Sequence, residues 1–319
     1  MTHRLVPPDP VTPDPVVHVA SPHVWVDLLH AEVAHLLREA GVPVLHVKGP
    51  TVQQWLYAEG ERPSGDVDVL VSPDRMQDAL DTLYAAGFVD RFPGVNRRTS
   101  TDHAFAVRRL DPAFGLDEVD VHDRFEGLES PALRAFEVLW AHREPAELAH
   151  QPVWFPDLTS RAVLVCVNAA RDPGPKPLED VRRLVAADVE WDLVVALAGR
   201  LGALPTLRAG LELVEGGTEL ADRIGLGPVT PEVRLRVTSA PRTALRLAEL
   251  RRTPWRGRPP LVARWLVPQP ALVRMREPDL PPGWRSLLGA YARRLGQGVR
   301  GLPVSIVALR RATERERGH

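Results

Sequence analysis

The sequence predicts an α+β fold: a mixed sheet with flanking helices, followed by a mostly α-helical region. Three observations predict it. Between residues 21 and 128, alternating hydrophobic runs of period two are interleaved with amphipathic runs of period three to four. From Pro131 onward the patterns become helical. A chain of 319 residues with 44% hydrophobic and 25% charged residues is long enough for about two globular domains, and that composition excludes wholesale disorder.

The elements follow in order. Residues 1–20, with five prolines, read as an extended leader. Val26, Leu29, Val33, Leu36 and Leu37 recur at helical spacing, and Gly41 follows in a C-cap position. PVLHV is a strand running into the Lys48-Gly49-Pro50 turn, TVQQWLYA a short helix, and EGERPSG a polar loop. In DVDVLV, strict alternation sets Val67, Val69 and Val71 on one face and Asp66, Asp68 and Leu70 on the other. Ser72 is expected to cap a helix with Pro73 at its first position, Met76, Ala79, Leu80 and Leu83 as its buried stripe, and Gly87 beyond its last turn.

FVDRF, HAFAVRR and EVDVHDRF complete the strands. Helical patterns then run through LRAFEVLWAH, TSRAVLVCVNAAR, LEDVRRLVAA, WDLVVALAGRL and PTLRAGLELVEG, and beyond about Gly217 Arg-rich stretches alternate with Pro-rich breaks. The expected divisions are a leader (1–20), a sheet-bearing domain (21–128), a helical domain (129–217) and a basic helical extension (218–319).

Asp66 and Asp68 lie two apart on one strand, so both project from the same face with Cα atoms about 7 Å apart. Carboxylates on a valine-rich strand are costly to bury unless a metal, a base or water compensates them, and their hard oxygens select Mg²⁺ or Mn²⁺. In EVDVHDRF, Glu118, Asp120 and His122 share a face, so Asp120 completes a three-carboxylate site if its strand neighbours the first. Solvated edge-strand carboxylates are the bland alternative. Just upstream, the Lys48-Gly49 turn lets backbone approach a phosphate closely and offers it amide donors.

The order strand, Gly turn, helix, loop, Asp-x-Asp strand and later Asp-bearing strand resembles the nucleotidyltransferase fold of the polymerase-β superfamily. Residues 43–125 are similar, more specifically, to a bacterial nucleotidyltransferase family with a Lys-Gly turn, an Arg before the Asp-x-Asp strand and a later Asp-x-His strand. The resemblance implies a nucleotidyltransferase-like mixed sheet in which Gly49 is the phosphate-turn glycine. Asp66 and Asp68 would bind both metals, and Asp120 would bind the catalytic one and help deprotonate the acceptor. The implied reaction is in-line attack by a hydroxyl of a small molecule, peptide or protein on the α-phosphate of a nucleoside triphosphate such as ATP, releasing pyrophosphate. Two Mg²⁺ or Mn²⁺ ions would stabilise the attacking and leaving oxygens. Pro50 departs from the superfamily, where a serine after the glycine gives a hydroxyl and an amide; Thr51 is the candidate substitute. A binding module for nucleotides or anions, with little turnover, is the alternative on the same fold.

Of the 40 basic residues only Lys48 and Lys176 are lysines. Each is a candidate phosphate contact, with strand-end solvation and helix capping or ion pairing as the alternatives. Arg62 either pairs with the carboxylates or binds phosphate. Ser64, beside it, shapes the turn and joins the nucleotide-site candidates. Arg97 and Arg98 read as loop arginines, and His122 as a polar neighbour of the metals or a structural hydrogen-bonder. A metal-dependent hydrolase on His103, Asp120 and His122 lacks the compact His-rich motif that such centres use.

The net charge of −1 hides an asymmetry: residues 231–319 carry 19 Arg against 6 Asp or Glu. The balanced total argues against a general nucleic-acid binder. Trp255, Trp265 and Trp284, set among these arginines, are expected to pack as core rather than stack on bases. The single cysteine, Cys166, excludes an intramolecular disulfide and a Cys-rich metal cluster, and its apolar run predicts a buried thiol. No apolar stretch approaches the roughly 18 residues that cross a bilayer, and the opening is broken by Pro and Asp where a signal peptide is continuous, so a cytoplasmic protein is expected.

Overall fold

The computed structural model describes residues 22–93, 104–111, 115–237, 242–277 and 279–317. The leader, Arg97, Arg98 and His103 lie outside the described residues.

Helix α1 (Pro22–Glu39) leads through Gly41, at φ 66°, into strand β1 (Val44–His46). Helix α2 (Pro50–Leu56) follows the Lys-Gly turn, and β2 (Val67–Val71) leads through a 3₁₀ turn at Pro73–Arg75 into α3 (Met76–Ala85). Strands β3 (Val89–Asp90), β4 (Ala104–Asp111) and β5 (Gly115–His122) complete a five-stranded sheet of order β1-β2-β5-β4-β3. The sheet is mixed: β2 and β5 run parallel, and the other neighbours antiparallel. Ser72 takes the expected N-cap position with Pro73 next, but of the 3₁₀ turn, and its hydroxyl donates to the Asp74 carboxylate rather than accepting from a backbone N–H.

Alternation along the strands feeds two separate cores. Val67, Val69 and Val71 of β2, with Val119 and Val121 of β5, pack against Val33 and Leu37 of α1 and Leu80 and Leu83 of α3. Leu45 and Leu70 point the other way into a second core shared with the helical region. That region comprises α4 (Ala132–Ala141), α5 (Leu158–Arg171), α6 (Pro175–Ala186), α7 (Trp191–Leu201), α8 (Leu204–Leu211) and α9 (Gly217–Arg223). Cys166, on α5, is fully buried and burial pushes its thiol pKa up, as expected of a core residue.

One element departs from the helical expectation. Between α4 and α5 the chain forms an antiparallel hairpin, β6 (Arg143–Leu148) and β7 (Gln151–Pro156), whose Leu148, Val153 and Phe155 pack on Ala34 of α1. After the helical region come α10 (Pro231–Val237), α11 (Arg242–Arg252), α12 (Arg258–Leu266), α13 (Pro270–Arg276) and a long α14 (Trp284–Arg317). Trp255 and Trp284 are exposed here, contrary to the core role expected of them.

Candidate active site

The site grows from the register of β2 on β5. In this parallel pair Asp68 stands beside Asp120, and Leu70 beside His122. Because registered residues on parallel neighbours point to the same face, Asp68, Asp120 and His122 project together on the side that faces the helical region. Their ligand atoms lie within 4.8 Å of one another. Asp66, one residue ahead of β2, falls outside this close group, although Asp68 and Asp120 both act on its charge.

Charge compensation differs across the cluster. Asp68 is buried; its Oδ1 meets the Lys48 ammonium and lies 2.8 Å from His122 Nε2. Burial alone pushes this carboxyl up, but the His122 hydrogen bond and the Lys48 charge outweigh it and hold the pKa well below the usual carboxylate range. Asp66 and Asp120 are shifted the other way, first by desolvation and then by the negative charge of Asp68. The result is one firmly ionised carboxylate flanked by two more basic ones. Two carboxylates and an imidazole at these separations form a donor set that fits a hard or borderline divalent cation such as Mg²⁺ or Mn²⁺.

Beside the carboxylates, Gly49 turns the chain from β1 into α2 with φ 55° and ψ −110°. A Cβ there would come within 2.6 Å of Ser64 Oγ, so both backbone conformation and space demand glycine. Thr51 is buried in the first turn of α2, and Arg161 of α5 donates to its carbonyl at 3.2 Å. Beneath the turn, His30 of α1 and His46 of β1 are buried with their Nδ1 atoms 2.7 Å apart, one donating and the other accepting. Burial drives both pKa values down, that of His30 to about 4.

Arg62 neither pairs with the Asp-x-Asp carboxylates nor stands open. Its guanidinium makes a bidentate pair with buried Asp180 of α6, through Nε at 2.6 Å and Nη2 at 2.7 Å, and Nη1 donates to the Gly49 carbonyl at 3.4 Å. Lys176, at the second position of α6, lies within electrostatic reach of Arg62, Asp66 and Asp180, so both of the sequence's lysines act on the charge of Asp66. Asn168 of α5 lines a crevice of about 20 Å³ with Lys48, Thr51, Arg62 and Asp180. Sequence reasoning passed over it, although an amide in the otherwise apolar run AVLVCVNAA was a usable signal.

A family model described as an uncharacterised nucleotidyltransferase matches residues 28–216, more than half of the 319-residue chain. The chain belongs to this nucleotidyltransferase family. The matched span contains every site residue named above and ends ahead of α10. No curated protein matches the chain. Among solved structures, an antigenic nucleotidyltransferase-like protein from Paracoccidioides brasiliensis is similar over 67% of this chain and 98% of its own, with 14% identity and a TM-score of 0.41. Among the described residues, no helix of this family member is long and apolar enough to cross a membrane.

Proposed function

We infer that the protein is a metal-dependent nucleotidyltransferase, moving a nucleoside monophosphate from a nucleoside triphosphate to a hydroxyl of a small molecule, peptide or protein. The observation that carries the reading is the in-register pair Asp68 and Asp120, with His122, beside the Gly49 turn. Asp68, Asp120 and His122 would hold a divalent cation, with Asp66 the additional carboxylate at the mouth of the cluster. Such a cation supplies positive charge to the reacting phosphate oxygens.

The chain's own groups account for the rest. Lys48 now neutralises Asp68, and its flexible stem lets the ammonium turn to phosphate once other positive charge reaches that carboxylate. The backbone around Gly49, with Thr51 and Ser64 beside it, cradles the triphosphate, and Arg62 fixes the turn through the Gly49 carbonyl. Lys176 faces the phosphates from α6. Asp120, on the face shared with Asp68, takes the proton of the acceptor hydroxyl; the resulting oxygen bonds to the α-phosphorus as the bond to pyrophosphate breaks.

The deciding experiment supplies α-labelled nucleoside triphosphates and Mg²⁺ or Mn²⁺, and follows label transfer and pyrophosphate. Transfer by the wild type is expected to fall by about a hundredfold or more in Asp120→Asn, with an unchanged melting temperature. Undiminished transfer by Asp120→Asn, or no pyrophosphate from any of the four ribonucleotides, overturns the assignment.

A further inference from the structure

Helix α14 carries a surface that the nucleotidyl-transfer reading does not use. Ahead of Pro303, Trp284, Leu288, Ala292, Leu295, Val299 and Leu302 recur at steps of three or four residues, so they share one face along about 27 Å of helix, and Ile306 follows beyond the proline. Elsewhere the helix packs on the chain: Ala290 and Ser305 are buried on another face, and Leu309, the next step beyond Ile306, closes the stripe by burying with Leu235 of α10 and Ala244 and Ala248 of α11. Apart from half-buried Leu302, the stripe ahead of Leu309 stays open to solvent. Trp284 is 66% exposed, Leu288 55%, Leu295 54%, Val299 57% and Ile306 41%. Such a continuous aliphatic face on a surface helix marks an interaction site.

The charge around it selects the partner. Residues 284–313 contain six arginines and no Asp or Glu. Arg285, Arg300 and Arg310 are exposed, Arg293 pairs with Glu277 at 2.5 Å, and Trp284 sits at the helix start, where an amphipathic ring suits the boundary between water and hydrocarbon. Two copies of α14 laid face to face would set arginines against arginines with no acidic residue from 284 to 313 to pair them. A nucleic acid would neutralise the arginines but leave Leu288, Leu295, Val299 and Ile306 without bases they could stack on, because stacking requires aromatic rings. An anionic bilayer meets both demands, as headgroups pair with the arginines while acyl chains cover the aliphatic stripe.

We propose that α14 is an interfacial helix that docks the protein, lying flat, on a membrane surface rich in anionic phospholipid. The helix does not span the bilayer, in keeping with its six arginines between 284 and 313.

The test is co-sedimentation of the full chain with vesicles of phosphatidylglycerol and phosphatidylcholine, against vesicles of phosphatidylcholine alone. Binding is expected to the anionic vesicles only and to weaken with salt. Leu295→Glu/Val299→Glu replaces side chains that are already exposed, so the fold is retained, and partitioning falls by about tenfold or more. Arg285→Gln/Arg300→Gln lowers it by about fivefold for each charge removed. Absence of binding to anionic vesicles, or equal binding by Leu295→Glu/Val299→Glu, overturns the proposal. So does lipid-free self-association or RNA binding that Leu295→Glu/Val299→Glu abolishes, since either gives the face to another partner. None of these readouts uses nucleotide, so failure of the transfer reaction leaves the proposal standing, and its own failure leaves the transfer reading intact.

Discussion

At the scale of single residues, Gly49 separates two costs that glycine substitutions usually merge. Gly60 has a comparable positive φ of 77° but nothing within 4 Å of an added Cβ, whereas at Gly49 the same atom meets Ser64. Gly60→Ala should therefore cost only backbone strain, about 1–2 kcal/mol, and Gly49→Ala should cost measurably more in urea unfolding, because its ψ of −110° also lies outside the left-handed well. Gly49→Ala/Ser64→Ala should recover part of the excess. Equal losses at positions 49 and 60 would mean that Ser64 moves aside freely. The turn itself was legible in the sequence, because a glycine directly after a hydrophobic strand marks where the backbone bends or meets a close neighbour. The partner of Arg62 was not: Asp180 lies 118 residues away, and an ion pair at that separation leaves no local pattern. Nor did alternation say whether His122 would be a ligand or a structural group, since both roles put it on the same strand face.

At the scale of elements, the Asp-x-Asp strand and the later Asp-x-His strand were each readable, because a half-buried strand enforces period two. Their adjacency was conditional until the parallel register supplied it. The β6–β7 hairpin was invisible for a chemical reason: its turn uses Ala149 and His150 at φ 43° and 63°, where the recognisable signal is Asn-Gly or Asp-Gly, and three prolines obscure its strands.

The contact between α1 and β1 carries a pH dependence. His30 and His46 are held neutral by burial, with His30 lowered from the ordinary 6.5 to about 4. A depressed native pKa means that stability is fully present above pH 6.5 and is lost as the pH falls toward about 4, because the unfolded chain takes up protons that the native one refuses. The raised pKa values of Asp66 and Asp120 act in the opposite sense, which a variant lacking both imidazoles isolates. His30→Leu/His46→Leu should show a flatter fall in unfolding free energy over that range than the wild type, by on the order of 3 kcal/mol. Parallel curves would show that the pair titrates normally in the folded protein.

At the scale of the whole molecule, the sheet and the helical region share a core, since Leu45, Val47 and Leu70 pack among Leu164 and Val165 of α5 and Leu139 of α4. With the bond from Arg161 to the Thr51 carbonyl, the Arg62–Asp180 pair adds directional ties to this apolar packing, joining the loop before β2 to α6 with both partners buried. Removing one member of a buried pair strands the other charge, so Arg62→Met or Asp180→Leu alone should lose about 3–5 kcal/mol. Tyr57 Oη also donates to Asp180 at 2.7 Å. The apolar replacement Tyr57→Phe/Arg62→Met/Asp180→Leu should accordingly recover most of that stability in denaturant melts. Nucleotide binding, measured calorimetrically with a nonhydrolysable triphosphate and Mn²⁺, should not recover with it, because Arg62 also holds the Gly49 carbonyl and no apolar side chain can replace that bond. Full recovery of binding would reduce the pair to a structural clamp; stability without binding would mark it as the link through which the helical layer sets the geometry of the Gly49 turn.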